Sequence, residues 1–155
     1  LLNIVKDVGE EEVRIDNSII NVFENELGRL LSPMELEQIK EQNKNIKVIG
    51  VEPEKSPLLT KGESGSHGIQ GIGANFVPDT LDKNIYDEII DVKDEHALEY
   101  GRLIAKKEGV LVGISSGATL FSAIEVAKRP ENKGKTIVAL LTDTGERYLS
   151  TAMFS

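Results

Sequence analysis

The chain has 155 residues, a length typical of one domain, with 39% hydrophobic and 28% charged residues, as in soluble globular proteins. Its net charge of -8 argues against nonspecific binding to nucleic acid or to anionic membranes, and the absence of cysteine excludes disulfides and thiolate metal sites. No apolar run reaches about 18 residues, and the N-terminus lacks a basic region followed by an apolar core, so we expect a cytoplasmic protein without a membrane span or secretory signal. We predict no metal site, and because the sequence begins with Leu1 rather than Met we expect a fragment or a processed chain.

Residues 16–42 are predicted to form a helical hairpin. Apolar residues spaced three to four apart form a stripe along the first helix, and Gly28 follows its end. The second helix begins with Ser32 as N-cap, Pro33 at the first helical position and Glu35 completing a capping box.

After residue 45 the pattern changes, and predicted strands alternate with predicted helices. Strands are expected at residues 46–51, 88–92 and 135–141, and the last of these is apolar enough to be covered on both faces. Between the first two, a short helix is predicted to begin near Ser56, and residues 60–74 are predicted to form a long loop that contains five glycines. Long loops in compact domains are usually functional or mobile.

Two longer helices are predicted in the second half of the chain. Asp94 is expected to cap a helix that ends at Gly109. Ser115 or Ser116 is expected to cap a second helix that runs to about residue 128. The chain is therefore predicted to have an α/β fold: a partial parallel sheet flanked by helices and preceded by a helical hairpin. The predicted regions are residues 1–45, of uncertain origin, and the α/β region 46–155.

The stretch GISSGA, residues 113–118, is the strongest candidate for a functional segment. It follows an apolar run and precedes a helical pattern, so it predicts a tight turn bounded by glycines and a helix that starts on serines. A hydroxyl at such a helix start can meet a polar ligand. An ordinary capped helix behind a turn is the alternative, because Gly-Ser turns are common.

Four motifs taken in order resemble one enzyme family. They are VIGVEPEKSP at 48–57, IQGIGA at 69–74, GISSGA at 113–118 and GERYLST at 145–151. The series closely resembles the C-terminal part of cysteine synthase, or O-acetylserine sulfhydrylase, one of the tryptophan-synthase-β-like enzymes that use pyridoxal phosphate. The resemblance covers about residues 46–154.

This resemblance implies roles for four residues. Ser115 matches the serine whose hydroxyl faces the pyridine nitrogen of the cofactor. A neutral hydroxyl leaves that nitrogen largely unprotonated, which favours β-elimination and replacement, whereas a carboxylate would favour transamination. Gln70, Gly71 and Gly73 match a loop on the substrate side of the cleft, although they could merely turn the chain.

The resemblance also implies an activity: the formation of cysteine and acetate from O-acetylserine and sulfide. The family's Schiff-base lysine is absent from this chain, so we predict no catalytic residue here and no activity of this chain alone. The family is typically dimeric and binds serine acetyltransferase, which makes both a homodimer and that partner expectations.

Residues 1–45 do not match cysteine synthase. Residues 23–29 and 31–35 weakly resemble the start of the C-terminal helical domain of DnaD-type replication-initiation proteins. The alternative function is therefore an interaction module, or a fused or truncated product with a DnaD-like helical N-terminus.

Overall fold

The computed structural model describes residues 38, 40–79 and 81–155. Residues 38 and 40–42 are helical, and the remainder of the predicted hairpin lies outside the described residues, as does the resemblance to DnaD-type proteins. The elements that follow are β1 (Ile49–Pro53), α1 (Leu58–Lys61), β2 (Glu88–Val92), α2 (Asp94–Glu108), α3 (Ile114–Ala127) and two short 3-10 helices, Pro130–Asn132 and Gly145–Tyr148.

The two strands form a parallel pair, as predicted. The register places Ile49 beside Glu88 and Pro53 beside Val92, and the predicted strand 88–92 is confirmed. The first strand begins later than residue 46 because Asn43 holds a turn there, accepting hydrogen bonds from the Asn45 amide (3.0 Å) and the Ile46 amide (3.1 Å).

Helix α2 has the predicted extent but not the predicted start. Lys93 occupies the N-cap position, and no side chain caps the helix. The Asp94 carboxylate instead forms a 2.7 Å ion pair with Lys55, so it ties the helix start to the segment after β1. The end is as predicted, because Gly109 has the left-handed conformation (φ 72°) that closes many helices.

Helix α3 starts before the serines that were expected to cap it. Gly113 is the N-cap residue, and neither Ser115 nor Ser116 makes a capping hydrogen bond, so that prediction is wrong. Both serines lie inside the first turn and are buried. Their hydroxyls are therefore free to serve purposes other than closing the helix.

Helices α2 and α3 cross with their backbones in close contact. A Cβ on Gly117 would overlap the carbonyl oxygen of Ala97, and a Cβ on Gly101 would overlap the tip of the Met153 side chain. Buried apolar side chains surround this crossing and form the core: Ile69, Val92, Ala97, Ile104, Val112, Ile114, Ala118, Leu120 and Met153.

The predicted third strand, residues 135–141, is wrong as a strand: the described residues contain no strand there. The segment borders a groove of about 580 Å³ that separates it from β1 and α3. Ile137, Val138 and Ala139 line this groove, and Val138 is 54% exposed, whereas Leu141 packs against the core. The groove is lined mainly by apolar residues, among them Ile49, Val51, Ala123, Val126, Ile137 and Val138. In the described part of the chain, no helix is long and apolar enough to cross a membrane.

Candidate functional site

The two serines at the start of α3 have opposite surroundings. The Ser116 hydroxyl donates to Asp143 Oδ1 (3.0 Å) and accepts from the Thr142 amide (3.1 Å). The Ser115 hydroxyl makes no hydrogen bond to any residue that the structure describes, although the side chain is only 4% exposed. Ser116 therefore uses its hydroxyl within the fold, whereas the Ser115 hydroxyl has no partner among the described residues.

Asp143 ties the segment after the groove to the start of α3. Its Oδ2 accepts a 2.6 Å hydrogen bond from the Tyr148 hydroxyl, and its carbonyl oxygen accepts from the Gly113 amide (3.3 Å). The hydrogen bond to Asp143, then burial, raises the pKa of Tyr148. Sequence reasoning missed this role of Asp143. The signal that could have indicated this role is a carboxylate at the end of an apolar run, five residues before a tyrosine.

Gly71 lies over Ser115, so the structure brings together two of the four predicted site residues. A Cβ on Gly71 would stand 2.8 Å from Ser115 Oγ, and the φ of Gly71 is 102°, a conformation that favours glycine. Gly71 and Gln70 are themselves exposed. A single residue without a side chain therefore covers the hydroxyl.

Gly73, the remaining predicted residue, is held by a histidine that sequence reasoning did not single out. His67 Nε2 lies 3.0 Å from the Gly73 carbonyl oxygen, and His67 Nδ1 accepts from the Ile69 amide at 3.2 Å. A lone histidine in a glycine-rich loop carries no spacing signal, so this contact could not be predicted from the sequence.

The same loop is anchored at a second point by Asp94. Its carboxylate lies beside the Gly68 backbone and forms the ion pair with Lys55. Burial acts to raise the pKa of Asp94, but the interactions with Lys55 and with the Gly68 backbone outweigh it and the pKa is lowered. The start of α2 thus packs against one end of the loop that covers Ser115.

Within the described part of the chain, no three His, Asp or Glu side chains are close enough to hold a metal ion. The site offers a neutral hydroxyl, a glycine above it and a loop fixed by backbone hydrogen bonds. Such an arrangement can donate a hydrogen bond to a neutral acceptor.

Comparison with known proteins identifies the family. A family model described as pyridoxal-phosphate dependent enzyme matches residues 36–143, more than half of the chain. The cysteine synthase of Staphylococcus aureus (strain N315) is 50% identical over 117 residues, which is 76% of this chain and 37% of that protein.

Solved structures agree with the sequence match. Cysteine synthase from Entamoeba histolytica aligns with a TM-score of 0.75 and 47% identity, covering 77% of this chain and 36% of that one. O-acetylserine dependent cystathionine β-synthase from Helicobacter pylori aligns at 0.70 with 38% identity, covering 78% and 39%.

The chain spans about 37% of the length of the curated relatives it matches. The predicted fold class, an α/β part of the tryptophan-synthase-β-like fold, is confirmed, and so is pyridoxal phosphate as the cofactor of the family. The chain belongs to the family of pyridoxal-phosphate dependent enzymes.

Proposed function

We propose that this chain forms the C-terminal part of a cysteine synthase and supplies the edge of the cofactor site that faces the pyridine nitrogen. The reaction is the replacement of the acetate of O-acetylserine by sulfide, giving cysteine. This proposal accounts for the cysteine synthases of Staphylococcus aureus and Entamoeba histolytica among the relatives.

The Ser115 hydroxyl, which has no hydrogen-bond partner among the described residues, is the observation that carries the proposal. A hydroxyl without such a partner can donate its proton to a ligand. Ser116, its neighbour, uses both its donor and its acceptor capacity. Ser115 therefore fits a ligand atom that accepts one hydrogen bond.

Ser115 also fits the chemistry of the ring nitrogen. Its hydroxyl is neutral, and the nearest carboxylate in the network, Asp143, is occupied by Ser116 and Tyr148. Pyridoxal phosphate, when bound, supplies an electron sink for elimination at the β-carbon. A neutral donor at Ser115 would hold the ring in place without protonating its nitrogen.

Gln70, Gly71 and Gly73 are proposed to line the substrate side of the same cleft. Gln70 and Gly71 are exposed, so they can meet a ligand from solvent. Gly71 lies against the hydroxyl, so a group that reaches Ser115 also contacts the backbone of Gly71.

Activity is proposed to require residues that this sequence does not carry, above all the lysine that anchors the cofactor. We expect no cysteine when the chain is mixed with pyridoxal phosphate, O-acetylserine and sulfide. Turnover by this chain alone would contradict that part of the proposal.

The binding role can be tested without turnover. Equilibrium dialysis would compare pyridoxal phosphate with the 1-deaza analogue, in which carbon replaces the ring nitrogen. We expect Ser115→Ala to weaken binding of pyridoxal phosphate about tenfold and to leave the analogue unaffected, because only one hydrogen bond is lost.

Ser122→Ala is the matched control, since Ser122 is a buried hydroxyl of α3 that donates to the Ala118 carbonyl oxygen instead. Equal weakening of both ligands by Ser115→Ala, or no binding by the unaltered chain, would overturn the role of Ser115.

Two partners remain part of the proposal: a second copy of the chain and serine acetyltransferase. Sedimentation analysis tests the first, and a pull-down with purified serine acetyltransferase tests the second.

A further inference from the structure

We propose that His67 is a positioning residue: its neutral imidazole latches residues 67–73 shut, and this latch sets how closely Gly71 covers Ser115. The functional meaning of the latch rests on the proposed role of Ser115, but its existence can be tested without any cofactor.

The hydrogen bonds of His67 specify one tautomer. Nδ1 accepts from the Ile69 amide (3.2 Å), so it carries no proton. A neutral imidazole then has its proton on Nε2, and Nε2 lies 3.0 Å from the Gly73 carbonyl oxygen, which can only accept. Both ring nitrogens are therefore used, in opposite senses, by the backbone of one short loop.

The two bonds enclose the residues that cover the site. Gln70 and Gly71 lie between Ile69, which is fully buried, and Gly73. A Cβ on Gly73 would stand 2.6 Å from His67 Nε2, so the ring packs directly against this backbone. Because both ends of the span are bonded to one ring, opening either bond gives Gly71 more freedom to lift from Ser115.

The neighbouring anchor does not replace the latch. Asp94 lies beside Gly68, on the side of the loop before Ile69. On the far side, the only hydrogen bond that the structure describes for Gly71 to Gly73 is that of His67, and Ile72 packs against the core. Opening of the His67–Gly73 bond should therefore loosen Gly71 while Gly68 and Ile72 stay in place.

The first test is the tautomer itself. The chain has two histidines, so long-range proton–nitrogen NMR of a 15N-labelled sample gives two imidazole patterns, and His96→Gln assigns them. We expect His67 to be locked in the neutral Nε2-protonated form at pH 8, with the Ile69 amide protected from exchange. A freely averaging His67 would overturn the proposal.

The second test measures access to position 115. The chain has no cysteine, so Ser115→Cys provides a single thiol whose labelling rate reports how often Gly71 lifts. In this background, we expect His67→Asn, which keeps the acceptor for Ile69 but loses the donor to Gly73, to raise the labelling rate about tenfold, as loss of one hydrogen bond predicts.

Two controls separate the latch from general loosening. His96→Gln should leave the labelling rate unchanged, because His96 stacks on Phe121 away from the loop. Ser122→Cys places a buried thiol further along α3, and its labelling should not respond to His67→Asn. An unchanged rate at position 115, or equal rises at both thiols, would overturn the latch. If Ser115→Ala weakened the binding of pyridoxal phosphate and of its 1-deaza analogue equally, only the proposed cofactor role of Ser115 would be overturned.

Discussion

The two sides of α3 are built differently. Toward α2 the helix is closed off by backbone contact, because Gly117 sits against Ala97 with no space for a Cβ. Toward residues 135–139 the same helix presents Ala123 and Val126 to an open apolar groove. The α2 side is thus fully formed within the described residues, whereas the groove side is not filled by them, and substitutions should be costly on the first side and tolerated on the second.

The largest expected effect is that of Gly117→Ala. The added methyl group would overlap backbone atoms of α2, which cannot move without separating the two helices. We expect the free energy of unfolding to fall by about 3 kcal/mol or more, measured by urea denaturation.

Gly101→Ala is the matched control at the same crossing. Its methyl group would meet the flexible end of Met153, which can rotate away, and alanine favours the helix by about 1 kcal/mol over glycine. We expect a net change within about 1 kcal/mol. Equal losses at Gly117 and Gly101 would mean that the helices do not touch through their backbones.

Replacing a valine by threonine in the closed region and beside the groove has the next largest expected effect on stability. Val112 is 2% exposed beneath the start of α3, whereas Val138 is 54% exposed beside the groove. Val112→Thr buries a hydroxyl among apolar side chains and should cost about 1–3 kcal/mol. Val138→Thr should change stability by less than about 0.5 kcal/mol. A costly Val138→Thr would show that the groove is filled in solution.

Tyr148→Phe tests the network that holds Asp143 beside α3. The pKa of Tyr148 is raised in the folded chain by its bond to Asp143 and by burial. The bond therefore contributes fully below the unfolded pKa of about 10, and its contribution is lost as the pH rises through the folded value.

We expect Tyr148→Phe to cost about 1 kcal/mol at neutral pH and to weaken the alkaline loss of stability, measured by urea denaturation from pH 7 to 11. Tyr86→Phe is the control, because the Tyr86 hydroxyl makes no hydrogen bond within the described part of the chain. An alkaline profile that is the same in Tyr148→Phe as in the unaltered chain would exclude the network.

An element could be predicted from the sequence where its signals are local, and could not where it depends on a distant neighbour. Strand 88–92 and the end of α2 at Gly109 depend on local signals, a β-branched run and a left-handed glycine, and both are confirmed. The strand at 135–141 depends on a neighbour as well as on its own apolar residues, and local pattern says nothing about the neighbour. The prediction there is wrong for that reason.

The candidate site shows the same limit. The motif GISSGA pointed to Ser115, but the difference between Ser115 and Ser116 comes from Asp143, which is distant in sequence. His67 was missed because its role is to bond the backbone of Ile69 and Gly73, and backbone partners leave no residue type to detect.

The smallest expected effect lies at the start of β2, at Asp87. Its carboxylate accepts from the Val48 amide (2.8 Å) and pairs with Lys40 (2.8 Å), and these bonds lower the pKa of Asp87 to about 2, with that to Lys40 the strongest cause. Because the folded value is below the unfolded value of 3.8, the contribution to stability is present above about pH 4 and is lost as the pH falls toward 2.

Asp87→Asn should therefore cost less than about 1 kcal/mol at pH 7, since the pair is partly exposed, and should flatten the stability profile between pH 4 and 2. Asp79→Asn is the control, because the carboxylate of Asp79 forms no ion pair within the described part of the chain. If Asp87→Asn lowered the free energy of unfolding as much as Gly117→Ala, a partly exposed ion pair would stabilise the fold as strongly as the backbone contact between α2 and α3. The contrast between the two sides of α3 would then have no physical basis.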